Sequence, residues 1–253
     1  MKAIAVIPAR LESTRLPRKV LADIHGNPML WHVWTRTKKA TKLDDVIVAT
    51  DSSEVLSLVK SWGGNSMLTS KDCQSGTERI ASLASQLDAD YVINVQGDEP
   101  LVSYLMIDNL VQYCFETHCD LATAVFQLKS HEDLINPNIV KVVRAENNRA
   151  IYFSRSPIPF SRDHSPENWI NHNEYYGHIG IYAYRREILD RYVELPHTKL
   201  ENIEKLEQLR FLDAGIEIQT IVTDYHPIAV DVHEDIEFVR KIISQGDKYD
   251  YQP

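Results

Sequence analysis

The chain has 253 residues, of which 43% are hydrophobic and 25% charged, and its formal net charge is −9. This composition is typical of a globular protein, and the length fits a single α/β domain over residues 1–253. The acidic balance argues against nucleic-acid binding, which depends on an excess of Lys and Arg. No stretch approaches the roughly 20 apolar residues that a membrane span needs. We therefore expect a cytoplasmic protein that neither binds nucleic acid nor inserts into a membrane.

Short apolar runs alternate with longer amphipathic stretches along the chain. This pattern predicts an α/β fold, a mostly parallel open sheet with helices on both faces. The apolar runs predict strands at Ala3–Ile7, Val46–Ala49, Tyr91–Val95, Leu121–Val125, Val140–Val143, Ile179–Tyr184 and Ile218–Val222. The amphipathic stretches predict helices at Pro28–Lys39, Ser53–Trp62, Thr77–Leu87, Tyr104–Glu116, Asn202–Asp213 and Glu234–Ser244.

The last two predicted helices carry apolar residues at helical spacing. In the C-terminal one, Ile236, Val239 and Ile243 predict a face that packs on the sheet. In the preceding one, the same spacing is shown by Ile203, Leu206, Leu209 and Leu212.

Segment 153–178 interrupts the alternation of strands and helices. It contains three prolines, several aromatic residues and many polar ones. Long segments of this kind inside a domain are usually functional. We interpret it as a small excursion from the domain, either a flap over a site or a dimerisation segment.

The loop Pro8–Lys19 concentrates positive charge in an otherwise acidic chain. Its cations are Arg10, Arg15, Arg18 and Lys19, and Ser13 and Thr14 add hydroxyl groups. In an open α/β sheet, ligands bind beyond the carboxyl ends of the strands, and this loop leaves such an end. Arg forks and a Lys point charge suit phosphate oxygens. The loop therefore predicts a polyphosphate site, and the alternative is a solvated basic turn.

Two aspartates follow apolar runs further along the chain. Asp98 ends the motif Asn94–Asp98, and Asp231 stands between Val230 and the last predicted helix. Mg²⁺ prefers carboxylate oxygens together with substrate phosphates. A basic loop and two carboxylates together are what metal-assisted phosphoryl transfer requires. The alternative for each aspartate is a helix cap.

The motif Gln74–Arg79 combines hydroxyl groups, a glycine and an arginine at a predicted helix start. The backbone N–H groups of such a start can hold a phosphate or a base. A helix cap formed by Ser75 or Thr77 explains the same residues.

Further segments complete an ordered set that spans nearly the whole chain. The set consists of Ile7–Arg10, Ser13–Pro17, Ala49–Asp51, Gln74–Arg79, Asn94–Pro100, Asn138–Val143, Tyr152–Pro159, His178–Tyr182 and Leu206–Arg210. Together these segments resemble the 3-deoxy-manno-octulosonate cytidylyltransferase family, the CMP-KDO synthetases. The resemblance implies a nucleotide-diphospho-sugar transferase-like fold and a homodimer. It also implies transfer of CMP from CTP to the anomeric hydroxyl of the acid sugar KDO, with release of pyrophosphate, for lipopolysaccharide biosynthesis.

The resemblance also assigns roles to individual residues. It implies that Mg²⁺ is held by Asp98 and Asp231, and that Arg10, Lys19 and Asp98 are catalytic. The implied nucleotide-binding residues are Arg10, Ser13, Lys19, Ser75, Gly76, Arg79 and Gln96. The implied sugar-binding residues are Arg155, Arg162, His178, Tyr182, Glu207 and Gln208. An Arg or a His suits the sugar's carboxylate through a charge-assisted hydrogen bond.

Three departures from the family's usual pattern leave the acceptor open. Arg18 stands where a Gly is usual, Ala229 replaces another usual Gly, and Val232–His233 replace a Thr followed by Pro or an acid. None of them removes a proposed ligand. The alternatives are an 8-amino analogue of KDO, another sugar acid or an alditol phosphate as acceptor, or a catalytically silent sugar-nucleotide binding protein. Retention of both Asp98 and Asp231 favours an enzyme.

Overall fold

The computed structural model describes residues 1–12 and 16–246. The strands in these residues are β1 (Ala3–Ala9), β2 (Asp23–Ile24), β3 (Asn27–Pro28), β4 (Asp45–Thr50), β5 (Asn65–Leu68), β6 (Tyr91–Asn94), β7 (Leu121–Gln127), β8 (Lys141–Arg144), β9 (Ala150–Ser154), β10 (Tyr176–Arg185) and β11 (Gln219–Val222). The α-helices are α1 (Met29–Thr37), α2 (Ser53–Ser61), α3 (Gly76–Ala81), α4 (Tyr104–Thr117), α5 (His131–Ile135), α6 (Trp169–His172), α7 (Arg186–Glu194), α8 (Lys199–Glu204), α9 (Gln208–Asp213) and α10 (His233–Ser244).

A nine-stranded sheet forms the centre of the fold, with the main order β11-β7-β10-β6-β1-β4-β5. β1 pairs in parallel with β4 and β6, as β4 does with β5 and β7 with β11. β10 runs antiparallel to both of its neighbours, β6 and β7. β8 pairs with β10 and with β9, which extends the sheet to one side. The predicted fold class, a mostly parallel sheet with helices, is confirmed.

Successive side chains of β1 point to opposite faces of the sheet, so its apolar residues contribute to a core on each face. Ala5 and Ile7 point into the core that α1, α2 and α4 cover. Ile4 and Val6 point into the core on the other face, which α3, α7 and α9 cover. A strand buried on both faces reads as a continuous apolar run, which is why the sequence predicts β1 clearly.

Helix α10 lies beside a small hairpin and not on the sheet. Its buried residues Ile236 and Val239 pack with Ile24 of β2 and with Val230 in a separate apolar cluster. The prediction that this face packs on the central sheet is therefore wrong. Since other helices already cover both faces of the sheet, the apolar side of α10 is buried against the β2–β3 hairpin instead.

The predicted helix Asn202–Asp213 is two helices in the structure. Lys205 adopts a left-handed conformation with φ of 55°, which ends α8 and starts the turn to α9. The break leaves Ile203 77% exposed, so its predicted place on an apolar face is wrong. The predicted helix Thr77–Leu87 is interrupted too, because α3 ends at Ala81 and a short 3-10 helix follows at Ala84–Gln86.

Several elements of the sheet and its cover have no counterpart among the predictions, and β5, β9 and α7 are examples. β5 is a short strand with partly exposed residues and lacks a continuous apolar run. β9 carries a short apolar run, but Ile151 within it is 51% exposed. α7 is highly charged and shows only a narrow buried stripe, formed by Ile188, Leu189 and Tyr192. Such elements depend on their neighbours more than on their own composition.

A β-bulge interrupts the pairing of β10 with β7. Ile179 faces Ala124 and Tyr182 faces Thr123, so Gly180 and Ile181 have no pairing partner on β7. Bulges of this kind are common beside active sites, where they change the direction of side chains.

Segment 153–178 folds over a small aromatic cluster. It runs from β9 through a 3-10 helix and α6 into β10. Trp169 is buried and contacts the rings of Phe160 and Tyr175. Phe160 itself is 75% exposed. No helix in the described part of the chain has the length and apolar character needed to cross a bilayer.

Candidate functional site

Lys19 joins three distant parts of the chain at the carboxyl edge of the sheet. Its Nζ donates hydrogen bonds to Asp98 Oδ2 at 2.7 Å, to Asp231 Oδ1 at 3.3 Å and to the Val230 carbonyl at 2.9 Å. The lysine side chain is only 14% exposed. The structure therefore brings together Lys19, Asp98 and Asp231, three of the four residues to which the resemblance assigns catalysis or metal binding. The fourth, Arg10, lines the cavity beside them.

The close approach of two loops depends on Gly97. A Cβ at this position would lie 2.7 Å from the carbonyl oxygen of Pro8, closer than real contacts allow. Without a side chain, the backbone after β6 can pass directly beside the end of β1. This contact places Asp98 next to the basic loop.

The loop that carries Asp231 is held by Asp235, which is not among the predicted site residues. The Asp235 carboxylate accepts hydrogen bonds from the N–H groups of Asp231, at 2.7 Å, and Val232, at 2.9 Å. In addition, the Val230 N–H donates to the Asp98 carbonyl at 2.9 Å. An acid in the first turn of a helix is the one sequence signal for this role.

A cavity of about 270 Å³ opens between the basic loop and the start of α3. Its lining includes all the nucleotide-binding candidates that the structure describes: Arg10, Lys19, Ser75, Gly76, Arg79 and Gln96. Ser13, the remaining candidate, lies outside the described residues. Ser75 also accepts a hydrogen bond from the Glu78 N–H and caps α3. It therefore is the helix cap that the sequence offered as an alternative, and it lines the cavity as well.

Arg79 lines this cavity, but protein groups occupy its guanidinium. Nη2 forms an ion pair with Asp51 Oδ2 at 3.1 Å, and Nη1 donates to Thr69 Oγ1 and to the Ser70 carbonyl. Asp51 also accepts a hydrogen bond from the Leu11 N–H at 3.2 Å. Arg79 therefore connects α3 through Asp51 to the basic loop, and the geometry favours a supporting role for it.

A second cavity, of about 490 Å³, adjoins the first. The two share the lining residues Gly76, Gln96, Asp98, Glu207 and Asp231. The second cavity is also lined by the sugar-binding candidates Arg155, His178, Tyr182 and Gln208, and by Lys205, which the sequence analysis did not select. Arg162 does not line it, and is exposed on the loop after β9.

Gln208 presents an unsatisfied donor beside this second cavity. The residue is 4% exposed, and its Nε2 has no hydrogen-bond partner within the part of the chain that the structure describes. Leaving a buried amide donor unpaired costs on the order of 1–3 kcal/mol. A bound hydroxyl or carboxylate oxygen would remove that cost.

Arg155 braces the turn between α8 and α9. Its Nε donates to the Glu204 carbonyl at 2.8 Å and its Nη1 to the Pro137 carbonyl at 2.9 Å. The Glu204 carboxylate in turn accepts from the Arg155 N–H and from Ser154 Oγ. The same turn leads to Glu207 and Gln208, so Arg155 fixes their position.

Burial keeps His178 uncharged. Desolvation lowers the pKa of its imidazole from 6.5 to about 3, because the ring packs beside its aromatic neighbours Phe153 and Tyr182 and is only partly open to the cavity. A neutral ring offers a carboxylate at most one N–H donor and no ion pair. It can still exchange hydrogen bonds with hydroxyl groups.

The two cavities together form one cleft with distinct halves. One half carries the basic loop and the N-terminus of α3, and the other carries hydroxyl, amide and imidazole groups. The carboxylates of Asp98 and Asp231 stand on the boundary between them. Such a cleft can hold an anionic and a polyhydroxylated molecule side by side with a cation between them.

Comparison with known proteins agrees with this arrangement. Residues 4–218 match the family model described as cytidylyltransferase. The 3-deoxy-manno-octulosonate cytidylyltransferase of Thermodesulfovibrio yellowstonii is 43% identical over 252 residues, which cover 96% of this chain and 99% of that protein. The 3-deoxy-manno-octulosonate cytidylyltransferase 2 of Actinobacillus pleuropneumoniae is 44% identical over 251 residues, with 96% and 99% covered.

A solved structure of CMP:2-keto-3-deoxy-manno-octonic acid synthetase complexed with CTP superimposes with a TM-score of 0.91. It is 39% identical, and the match covers 97% of this chain and 99% of that one. Fold and site are thus those of a nucleotidyltransferase. The chain belongs to the cytidylyltransferase family, among the 3-deoxy-manno-octulosonate cytidylyltransferases.

Replacing Arg79 tests its supporting role. We expect Arg79→Met to lower the free energy of unfolding by about 3–5 kcal/mol, because Asp51 is left as an uncompensated, mostly buried charge. Arg18→Met removes an exposed ion pair with Glu54 and should change the free energy of unfolding far less. Urea unfolding of both variants provides the measurement. Small and equal decreases in the free energy of unfolding of the two variants would contradict the supporting role of Arg79.

The neutral state of His178 predicts a pH dependence of stability. Its folded-state pKa, about 3, lies below the ordinary value of 6.5, so the unfolded chain binds the proton first as the pH falls. The free energy of unfolding is therefore undiminished by His178 above about pH 6.5, and it declines as the pH falls below that value. Between pH 7 and pH 5, the wild type should lose about 2 kcal/mol more than His178→Gln. The free energies of unfolding of the wild type and His178→Gln are measured in urea at each pH. If the two fall in parallel with pH, the imidazole is not held neutral.

Proposed function

We propose that this protein transfers CMP from CTP to the anomeric hydroxyl of 3-deoxy-manno-octulosonate, giving CMP-KDO and pyrophosphate. The observation that carries the proposal is the shared wall of the two cavities, where Asp98, Asp231 and Gln96 face both halves of the cleft. The names of the full-length relatives and the CTP-bound neighbour support the choice of substrates.

In the nucleotide half, Arg10 and Lys19 supply positive charge where the triphosphate would lie. The sugar hydroxyl oxygen attacks the α-phosphorus, a new P–O bond forms, the bond to the bridging oxygen breaks, and pyrophosphate leaves. The hydroxyl proton is released in the same reaction. Negative charge grows on the leaving group during this step, so fixed cations stabilise the transition state.

Asp98 and Asp231 are the residues that would hold Mg²⁺. Both carboxylates lie within hydrogen-bond distance of the same ammonium group, so they already form a cation site. Among residues 1–12 and 16–246, no three His, Cys, Asp or Glu side chains converge on one point. A metal here would complete its coordination with phosphate oxygens and water, as Mg²⁺ commonly does. Bound Mg²⁺ would offset charge on the reacting phosphate.

In the sugar half, Glu207 and Gln208 follow the braced turn, and His178 and Tyr182 line the same cavity. These groups suit the hydroxyls of an acid sugar. Arg155 and Lys205 are the cationic residues among the described lining that suit its carboxylate. Arg162 is proposed as a sugar-binding residue only through the family resemblance.

The homodimer, the single-domain organisation, the role in lipopolysaccharide biosynthesis and the cytoplasmic location remain predictions. Segment 153–178 is the element proposed for the dimer. The exposure of Phe160 on this segment, and of Ile151 on the adjacent β9, supports that choice.

The proposed reaction predicts pyrophosphate release from a mixture of protein, CTP, Mg²⁺ and KDO. Release should require all three additions, and the 8-amino analogue in place of KDO tests the acceptor. A coupled phosphate assay provides the measurement. Absence of release from folded protein with both acceptors and with other 2-keto-3-deoxy sugar acids would overturn the proposal.

Asp98→Asn should reduce turnover by at least about a hundredfold, because a charge that organises the transition state is lost. The melting temperature should change little, since the side chain is partly exposed and the amide can still accept a hydrogen bond from Lys19. Asp88→Asn, at an exposed aspartate paired with Lys2, is the matched control and should keep full activity. Collapse of the Asp98→Asn fold would instead indicate a structural cap.

A further inference from the structure

The hydroxyl group of Thr123 lies at the point where the bulge of β10 meets the sugar half of the cleft. The residue is fully buried on β7. Its Oγ1 lies 2.6 Å from the Ile181 carbonyl oxygen, 3.2 Å from the Ile179 carbonyl oxygen and 3.0 Å from His178 Nε2. One hydroxyl group therefore lies within hydrogen-bond distance of three neighbouring atoms.

The single hydrogen of the Thr123 hydroxyl group decides which ring nitrogen of His178 is protonated. A threonine hydroxyl has a single hydrogen to donate, while its oxygen can accept two hydrogen bonds. The carbonyl oxygens of Ile179 and Ile181 can only accept, so the hydrogen of Thr123 points towards them. Towards His178 the hydroxyl then offers only a lone pair, and His178 Nε2 must carry the hydrogen.

The other ring nitrogen is left as an acceptor. A neutral imidazole has one hydrogen, so with Nε2 protonated the Nδ1 atom carries none. Among the described residues, none forms a hydrogen bond with Nδ1, and the residue lines the second cavity. Burial, which holds the ring neutral, agrees with this assignment.

We propose that Thr123 is a positioning residue that holds His178 in its Nε2–H tautomer, so that Nδ1 accepts a hydrogen bond from a hydroxyl of the acceptor sugar. This inference rests on the proposed function for the identity of the sugar. His178 then recognises a hydroxyl group and not the carboxylate. The carboxylate is left to the cations of the same half, Arg155 and Lys205.

The tautomer can be observed directly by ¹⁵N NMR of histidine-labelled protein, with His178→Gln used to assign the ring signals. In the wild type at neutral pH, we expect a protonated Nε2 and an unprotonated Nδ1. Thr123→Val removes the hydroxyl and should produce a mixture of tautomers, and Thr123→Ser should restore the single one. An Nδ1–H tautomer or an imidazolium in the wild type would overturn the proposal whether or not Thr123→Val folds.

Kinetics provide the second readout. Thr123→Val should raise the KM for the sugar about five- to tenfold, the loss expected for one neutral hydrogen bond, with the KM for CTP unchanged. Thr123→Ser should recover the wild-type value. Thr220→Val is the matched control, since Thr220 is also a buried strand threonine whose hydroxyl donates to a carbonyl, and it lies outside the cleft. An equal rise in KM in both valine variants would contradict the proposal.

The two proposals fail in different ways. If the wild type turns over no sugar acid, the proposed function fails, whatever the tautomer of His178. If the wild type is active and Thr123→Val keeps both the tautomer and the KM for the sugar, only the positioning role fails.

Discussion

The ammonium group of Lys19 stabilises two carboxylates that would repel each other without it. Asp98 and Asp231 lie 79 and 212 residues away from this lysine along the chain. The basic loop, the end of β6 and the start of α10 therefore meet at one point. Two carboxylates that contact the same ammonium group are close enough to repel each other, and this repulsion destabilises a fold unless a counter-charge lies between them. Any metal ion that binds the two aspartates has to share or displace that ammonium, which couples cation binding to the position of Lys19.

The two halves of the cleft follow from the topology of the sheet. The parallel strands β1, β4 and β6 bring their carboxyl ends to one edge, where the nucleotide half lies. β10 runs in the opposite direction between β6 and β7, so it brings a different set of side chains to the same edge. Gln96, which donates to the Gly180 carbonyl, joins the two sets. The proposed nucleotide and sugar sites are thus on adjacent strands.

Much of the site could be predicted because its charged residues lie in the loops that follow β1, β6 and β11. Lys19, Asp98 and Asp231 each stand beside an apolar run, and the carboxyl-edge rule then places them together. The roles of Arg79 and Arg155 could not be predicted in this way, since their partners come from distant loops. The neutral state of His178 depends on burial, which no local pattern reports. The break at Lys205 escaped prediction because a lysine gives no signal for a left-handed backbone.

The bulge in β10 changes the distances within the sugar half. His178 faces Val125 and Tyr182 faces Thr123, so two residues four apart in sequence occupy positions only two apart on the sheet. Four residues of regular strand span about 13 Å, and two span about 7 Å. The ring centroids lie 5.3 Å apart as a result. Gly180 and Ile181 thus shorten the strand without reversing its faces, which brings an imidazole and a phenol side by side in the lining of one cavity.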